Sequence, residues 1–145
     1  MYVHATCVAL KVGRSWRALL LRGPSGAGKS DVALRLIEAG GRLVADDQTH
    51  LAKVGRAVIA TPPKSLAGLV EVRGVGIVKL GRDQLLARAP LGLLVDLVRP
   101  DQVERLPDPA HEKVLDIDLP KVALAPFEAS IVTKLRLALA RTVAA

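Results

Sequence analysis

The 145-residue chain carries 21 Lys and Arg against 14 Asp and Glu, a formal charge of +7, and 50% of its residues are hydrophobic; this suits a single domain, 1–145, with a buried core. The cations are scattered without a run of five or six, which favours local phosphate sites over a nucleic-acid-binding stripe, and a single Phe, Trp and Tyr leave little for stacking on bases. The lone Cys7 excludes an internal disulfide and a cysteine zinc cluster and reads as a small buried hydrophobe, while the lack of a leader-like N-terminus or a long apolar run predicts a soluble, cytoplasmic protein with no membrane contact.

In chain order, Tyr2 to Val12 alternates loosely as a strand, Gly13-Arg14-Ser15 reads as a turn, and Trp16 to Leu21 is a second strand running into a glycine-rich loop. Asp31 to Ala39 is rich in helix formers with an apolar face, and Gly40-Gly41 ends it. Short strands follow at Leu43 to Ala45 and Ala57 to Ala60. Leu69 to Leu80 is strand-like but bent at Arg73-Gly74-Val75-Gly76. Leu91 to Val98 has the apolar density of a buried strand. The polar segment Asp101 to Lys113, with Pro107 and Pro109, reads as a surface loop, Val114 to Leu124 as a strand, and Ser130 to Val143 as an amphipathic helix. The resulting class is α/β with a mixed sheet flanked by helices.

The loop Gly23-Pro24-Ser25-Gly26-Ala27-Gly28-Lys29-Ser30 has the full spacing of a P-loop, between a strand and a helix. Glycines let successive backbone N–H groups turn inward on a phosphate, and the helix adds the positive end of its dipole. Lys29 is suited to the β- and γ-phosphates of ATP and the Ser30 hydroxyl to Mg²⁺. Phosphoryl transfer also needs an acid to hold the metal and a base for the nucleophile. Asp46-Asp47, at a strand end, suits these roles. So does Asp96, which closes the apolar run Leu93-Leu94-Val95.

These residues resemble the catalytic domain of the HPr kinase/phosphorylase family, in a short form without that family's N-terminal domain. His4 precedes the strand pair leading to the P-loop, Arg42 to Asp47 is similar to the family's strand with two acids, and Glu71-Val72-Arg73-Gly74-Val75-Gly76-Ile77 is similar to its signature segment. The resemblance implies an HPr kinase-like P-loop fold and an ATP- and Mg²⁺-dependent kinase that phosphorylates a serine of the phosphocarrier HPr. It implies the reverse reaction as well, in which inorganic phosphate attacks the phosphoserine and pyrophosphate leaves.

By the same resemblance Asp46 is the general base, His4 lies near enough to tune it, and Ser30, Asp47 and Glu71 hold Mg²⁺. Lys29 and Arg105 complete the catalytic set, Arg105 from a mobile loop, and Arg73 either stabilises the transferred group or fixes the signature loop. Homo-oligomer assembly is implied too, full-length members being homohexamers. The chain departs from the family after its late strand, where Ala125-Pro126-Phe127-Glu128-Ala129-Ser130 stands in place of a Pro-Val-x-x-Gly-Arg-Asn type segment. Two other readings share the P-loop: a small-molecule kinase, and an ATP-sensing regulatory protein with little turnover.

Overall fold

Along the strands successive side chains point to opposite faces, so each strand offers one set of side chains to each face of a sheet. The computed structural model describes residues 1–144. Its strands are β1 (Tyr2–Val3), β2 (Ala5–Val12), β3 (Ser15–Arg22), β4 (Arg42–Ala45), β5 (Thr49–Val54), β6 (Ala57–Thr61), β7 (Leu69–Val72), β8 (Gly76–Lys79), β9 (Ala89–Leu97), β10 (Ala110–Val114) and β11 (Ile117–Leu124). The helices are α1 (Lys29–Glu38) and α2 (Ile131–Ala144), with 3₁₀ turns at Lys64–Leu66, Arg82–Gln84 and Pro100–Gln102. The main sheet runs β1-β5-β6-β9-β3-β2-β4, and β11, carrying β10, also pairs with β9. β9 is parallel to β3 and β11 and antiparallel to β6, so the sheet is mixed.

Both helices lie on one face. Val8 and Leu10 of β2, Leu19 and Leu21 of β3, and Leu93, Val95 and Leu97 of β9 pack there with Val32, Ala33 and Leu36 of α1 and Ile131, Leu135 and Leu139 of α2. The i, i+4, i+8 spacing of the α2 residues gives that helix one apolar stripe. The other face, with Cys7, Ala9, Ala18 and Leu20, is covered by Leu51 and Val58 of the β5–β6 hairpin and Val114 and Leu119 of the β10–β11 hairpin. Burial there pushes the Cys7 thiol well above its ordinary pKa, which keeps it an unreactive core group.

β9 changes partners along its length through one irregularity. Ala18 is opposite Leu91, but Leu19 is opposite Leu93, so Gly92 is an extra residue that flips the alternation and brings Leu91 and Leu94 to the same face. A Cβ at Gly92 would come within 2.8 Å of the Leu139 methyl on α2. The close approach of α2 is what favours glycine there.

Several local readings are corrected. The first strand breaks at His4, where β1 leaves its pairing with β5 and β2 begins pairing with β3 and β4. The bend or loop expected at Arg73 to Gly76 is present, as a hairpin turn with Val72 opposite Gly76. The surface loop expected over Asp101 to Lys113 contains β10, joined to β11 through Leu115 and Asp116, both at positive φ. That two-residue turn has the backbone of a type I′ hairpin without the usual Asn-Gly.

At the C-terminal ends of the central strands, Arg22 forks between two carboxylates. Its Nε and Nη2 donate to Asp96 at 2.8 and 3.2 Å, and its Nη1 and Nη2 donate to Glu112 at 2.6 and 3.0 Å. The hydrogen bonds from Arg22 hold the Glu112 carboxyl below its ordinary value, and the bond to Glu112 is the largest influence raising Arg22. Because the folded carboxyl titrates below the unfolded one, this stabilisation is complete above about pH 4.5 and is lost as pH falls through the lowered folded value. Thermal melts of Glu112→Gln should therefore show a lower Tm than the parent at pH 7 and a gap that shrinks as the pH is lowered below about 4.5; a gap that stays constant as the pH falls would contradict the pairing.

Candidate active site

The phosphate loop is held by its own backbone and by the lysine that ends it. The Ala27 N–H donates to the Pro24 carbonyl at 3.0 Å, and Gly28, at φ 100°, turns the chain into α1. Lys29 is buried, and its Nζ donates to the Gly23 and Pro24 carbonyls at 2.7 and 3.1 Å. A buried ammonium requires such acceptors. They keep the amine at the loop, beside the amides and helix N-terminus that suit a phosphate.

Asp46 ends β4 and turns inward. Its Oδ1 accepts the Ser30 hydroxyl at 2.8 Å and the Thr6 hydroxyl at 3.0 Å, and the Glu71 backbone N–H approaches its Oδ2 at 3.4 Å. Three separate elements thus converge on one buried carboxylate: β2, the start of α1 and β7. Asp47 turns the other way. Its φ of 65° is left-handed, a conformation Asp tolerates better than most residues, and its Oδ1 meets His4 Nε2 at 2.6 Å with side chains 65% and 50% exposed. The two adjacent acids therefore avoid mutual repulsion by facing apart, one toward Ser30 and one toward His4.

Of the residues named from sequence, the structure brings Ser30, Asp46 and the Glu71 backbone together, with Lys29 next to Ser30 at the start of α1. His4 contacts Asp47, not Asp46. Glu71 and Arg73 are exposed on the β7–β8 hairpin, and Arg105 is exposed on the stretch between the Pro100–Gln102 turn and β10, with no hydrogen bond to another side chain among the described residues. Asp96, the other candidate acid, is engaged by Arg22, while Ser30 bonds Asp46.

Thr6 is the site residue that the sequence does not reveal. It is fully buried, donates to Asp46 and accepts the Asp47 N–H at 3.1 Å, so one hydroxyl orients the carboxylate and pins the strand end. In sequence it is one more β-branched residue of a strand, 40 positions from its partner. Thr6→Val keeps the shape but deletes the donor and leaves the Asp47 amide without its acceptor. Where Asp46 serves as a base, the variant should transfer phosphate roughly 10-fold more slowly with nucleotide affinity unchanged, as steady-state kinetics and titration would report; an unchanged rate would make Thr6 a purely structural residue.

The donor set also fits Mg²⁺. Hydroxyl and carboxylate oxygens are the hard ligands it prefers, and it ordinarily takes only one or two carboxylates, with phosphate oxygens and water filling the rest. Among the described residues no three His, Cys, Asp or Glu side chains converge on one point, so the residues suit an ion shared with a nucleotide and not one caged by the protein. Among the described residues, no helix is long and apolar enough to cross a membrane.

Residues 2–138 match the family model described as HPr Serine kinase C-terminal domain. The chain is 39% identical over 117 residues to the HPr kinase/phosphorylase of Leptothrix cholodnii, covering 74% of this chain and 36% of that protein. With the HPr kinase/phosphorylase of Clostridium acetobutylicum it shares 34% identity over 114 residues, 73% of this chain and 38% of the other. It thus spans little more than a third of these curated relatives. Its structure matches that of the Hpr(Ser) kinase/phosphatase from Coxiella burnetii with a TM-score of 0.82 and 25% identity, over 99% of this chain and 90% of that chain.

Proposed function

Since the chain belongs to the HPr serine kinase C-terminal domain family, we propose that it transfers the γ-phosphoryl group of ATP to a serine of HPr and reverses that transfer with inorganic phosphate. The observation that carries this reading is the buried Asp46 carboxylate, 2.8 Å from the P-loop Ser30 hydroxyl. A nucleotide-binding loop with a carboxylate fixed at its mouth has what phosphoryl transfer to a hydroxyl needs.

In the forward direction the serine Oγ bonds to the γ-phosphorus as the bond to ADP breaks, and the serine proton passes to Asp46. Ser30 and Thr6 both donate to Oδ1 and the Glu71 N–H approaches Oδ2 at 3.4 Å, so the carboxylate is oriented and Oδ2, the less engaged oxygen, takes the proton. In reverse, an oxygen of inorganic phosphate bonds to the phosphoserine phosphorus, the bond to serine breaks, Asp46 returns a proton to the serine Oγ, and pyrophosphate departs. Lys29 binds phosphate oxygens in both directions.

Ser30 would hold Mg²⁺, which would offset the charge of the phosphates; Asp47, turned toward His4, and Glu71, exposed on the β7–β8 hairpin, would join it only by reorienting. The Asp46 carboxylate beside Ser30 is a further oxygen for the same ion. His4 acts on Asp47 through their 2.6 Å contact, and Arg105 reaches the reactants from its exposed stretch.

A regulatory ATP sensor is a second reading, favoured by the departure at Ala125–Ser130 from the family's C-terminal segment. Incubating the chain with Mg²⁺, ATP and HPr and measuring the intact mass of HPr separates the two. Transfer predicts one phosphoserine per HPr. ATP binding without any modified HPr would support the sensor and overturn the kinase.

A further inference from the structure

The segment Ala125–Glu128, where this chain leaves the family pattern, lies against the phosphate loop. Two observations define the contact. Arg35 of α1 donates to the carbonyls of Pro126 and Glu128, so the P-loop helix itself holds the segment down. A Cβ built at Gly28 would fall 2.9 Å from the Phe127 ring and 3.1 Å from Pro126, so both residues rest on the last glycine of the loop. Phe127 is nevertheless 69% exposed. The part of the ring that meets Gly28 is its tip, Cζ and Cε1, and this is the one Phe of the chain.

What the ring borders is a cavity of about 570 Å³. Its walls include Pro24 and Ala27 of the phosphate loop, Val98 after β9, Pro100 of the following 3₁₀ turn, and Phe127. That volume lies within the roughly 300–1,000 Å³ of sites that take small ligands. The cavity is continuous with the phosphate loop, because Pro24, Gly26 and Ala27 belong to both. Its walls are mainly apolar; the amide of Gln102 already accepts the Arg99 N–H at 3.1 Å.

We propose that this cavity holds the base of the bound nucleoside triphosphate, with the Phe127 ring stacked on it, so that Ala125–Glu128 completes the nucleotide site begun by the phosphate loop. The proposal rests on the triphosphate-binding reading above and adds where the nucleoside lies. Apolar walls recognise a flat base by contact and not by its hydrogen-bonding edge, so discrimination between purines is weak. ATP and GTP should bind within about fivefold of each other, by the same argument.

The test compares ATP with inorganic tripolyphosphate, which has the phosphates but no base, each titrated with Mg²⁺ into the parent chain and into Phe127→Ala. The parent should bind ATP more tightly than tripolyphosphate, and the variant should lose roughly 10-fold in ATP affinity while its tripolyphosphate affinity stays within about twofold. Equal affinities of the parent for ATP and tripolyphosphate would overturn the base site and leave the phosphate reading standing. A parallel fall for both ligands in Phe127→Ala would also overturn it, by making the ring a mere support for Gly28. Binding of neither ligand by the parent would defeat the phosphate reading and this proposal together.

Because the chain has a single Phe, a second measurement needs no variant. Nuclear Overhauser contacts between the Phe127 ring protons and the base protons of saturating ATP are expected; their absence under saturation would overturn the proposal.

Discussion

Asp46→Asn should reduce phosphate transfer to HPr by about 10²–10⁴-fold, the usual contribution of a positioned general base, while ATP affinity changes little. The substitution keeps the size of the side chain and can preserve acceptance of the Thr6 and Ser30 hydroxyls at 3.0 and 2.8 Å. It removes the anionic oxygen proposed to take the serine proton. The same loss should appear in the reverse direction, since the protonated carboxyl returns that proton. Single-turnover rates in both directions, with an independent ATP titration, separate this from a binding defect. Transfer at the parent rate would remove Asp46 from the chemistry.

Lys29→Ala should fail earlier, at binding. Hydrogen bonds to charged groups contribute about 1.5–3 kcal/mol each, so losing the ammonium should weaken ATP by at least about 10-fold and bring transfer below detection in both directions. The loop is affected as well, because the Lys29 amine is also the donor to the Gly23 and Pro24 carbonyls. Calorimetric titration of ATP checks the result, and undiminished affinity would contradict the role given to the lysine. Together the two variants separate phosphate binding from proton transfer.

The parts of this molecule that can be read from sequence are those whose determinants are contiguous. Eight consecutive residues specify the phosphate loop, since each glycine, the lysine and the serine act within one turn of chain. Leu91 to Val98 is legible as a buried strand from its apolar run, and α1 from its helix formers and the Gly40-Gly41 stop. What escapes notice depends on partners distant in sequence. Thr6 acquires its role only when β2 comes beside the end of β4. β5 carries His50 and Lys53 and becomes a strand by pairing with β1 and β6. β10 is a polar edge strand, and its turn through Leu115 and Asp116 lacks the usual Asn-Gly.

The paired acids illustrate the same limit at the site. Asp46-Asp47 marks a place of interest in sequence, but adjacency suggests a shared environment. The left-handed turn at Asp47 gives them opposite ones, buried against Ser30 and Thr6 in one case and exposed to His4 in the other. Likewise, the departure at Ala125–Ser130 reads in sequence only as a lost motif, whereas in the fold it brings Phe127 onto Gly28. Side-chain direction, which sequence order does not specify, decides both outcomes.

We propose that one site runs phosphoryl transfer in both directions through one carboxylate. It is tested most directly by giving the chain serine-phosphorylated HPr, Mg²⁺ and inorganic phosphate with no nucleotide, and measuring pyrophosphate against phosphoserine lost. The account predicts one pyrophosphate for each phosphoserine removed by the parent chain; persistence of the phosphoserine, or its loss without pyrophosphate, would contradict it.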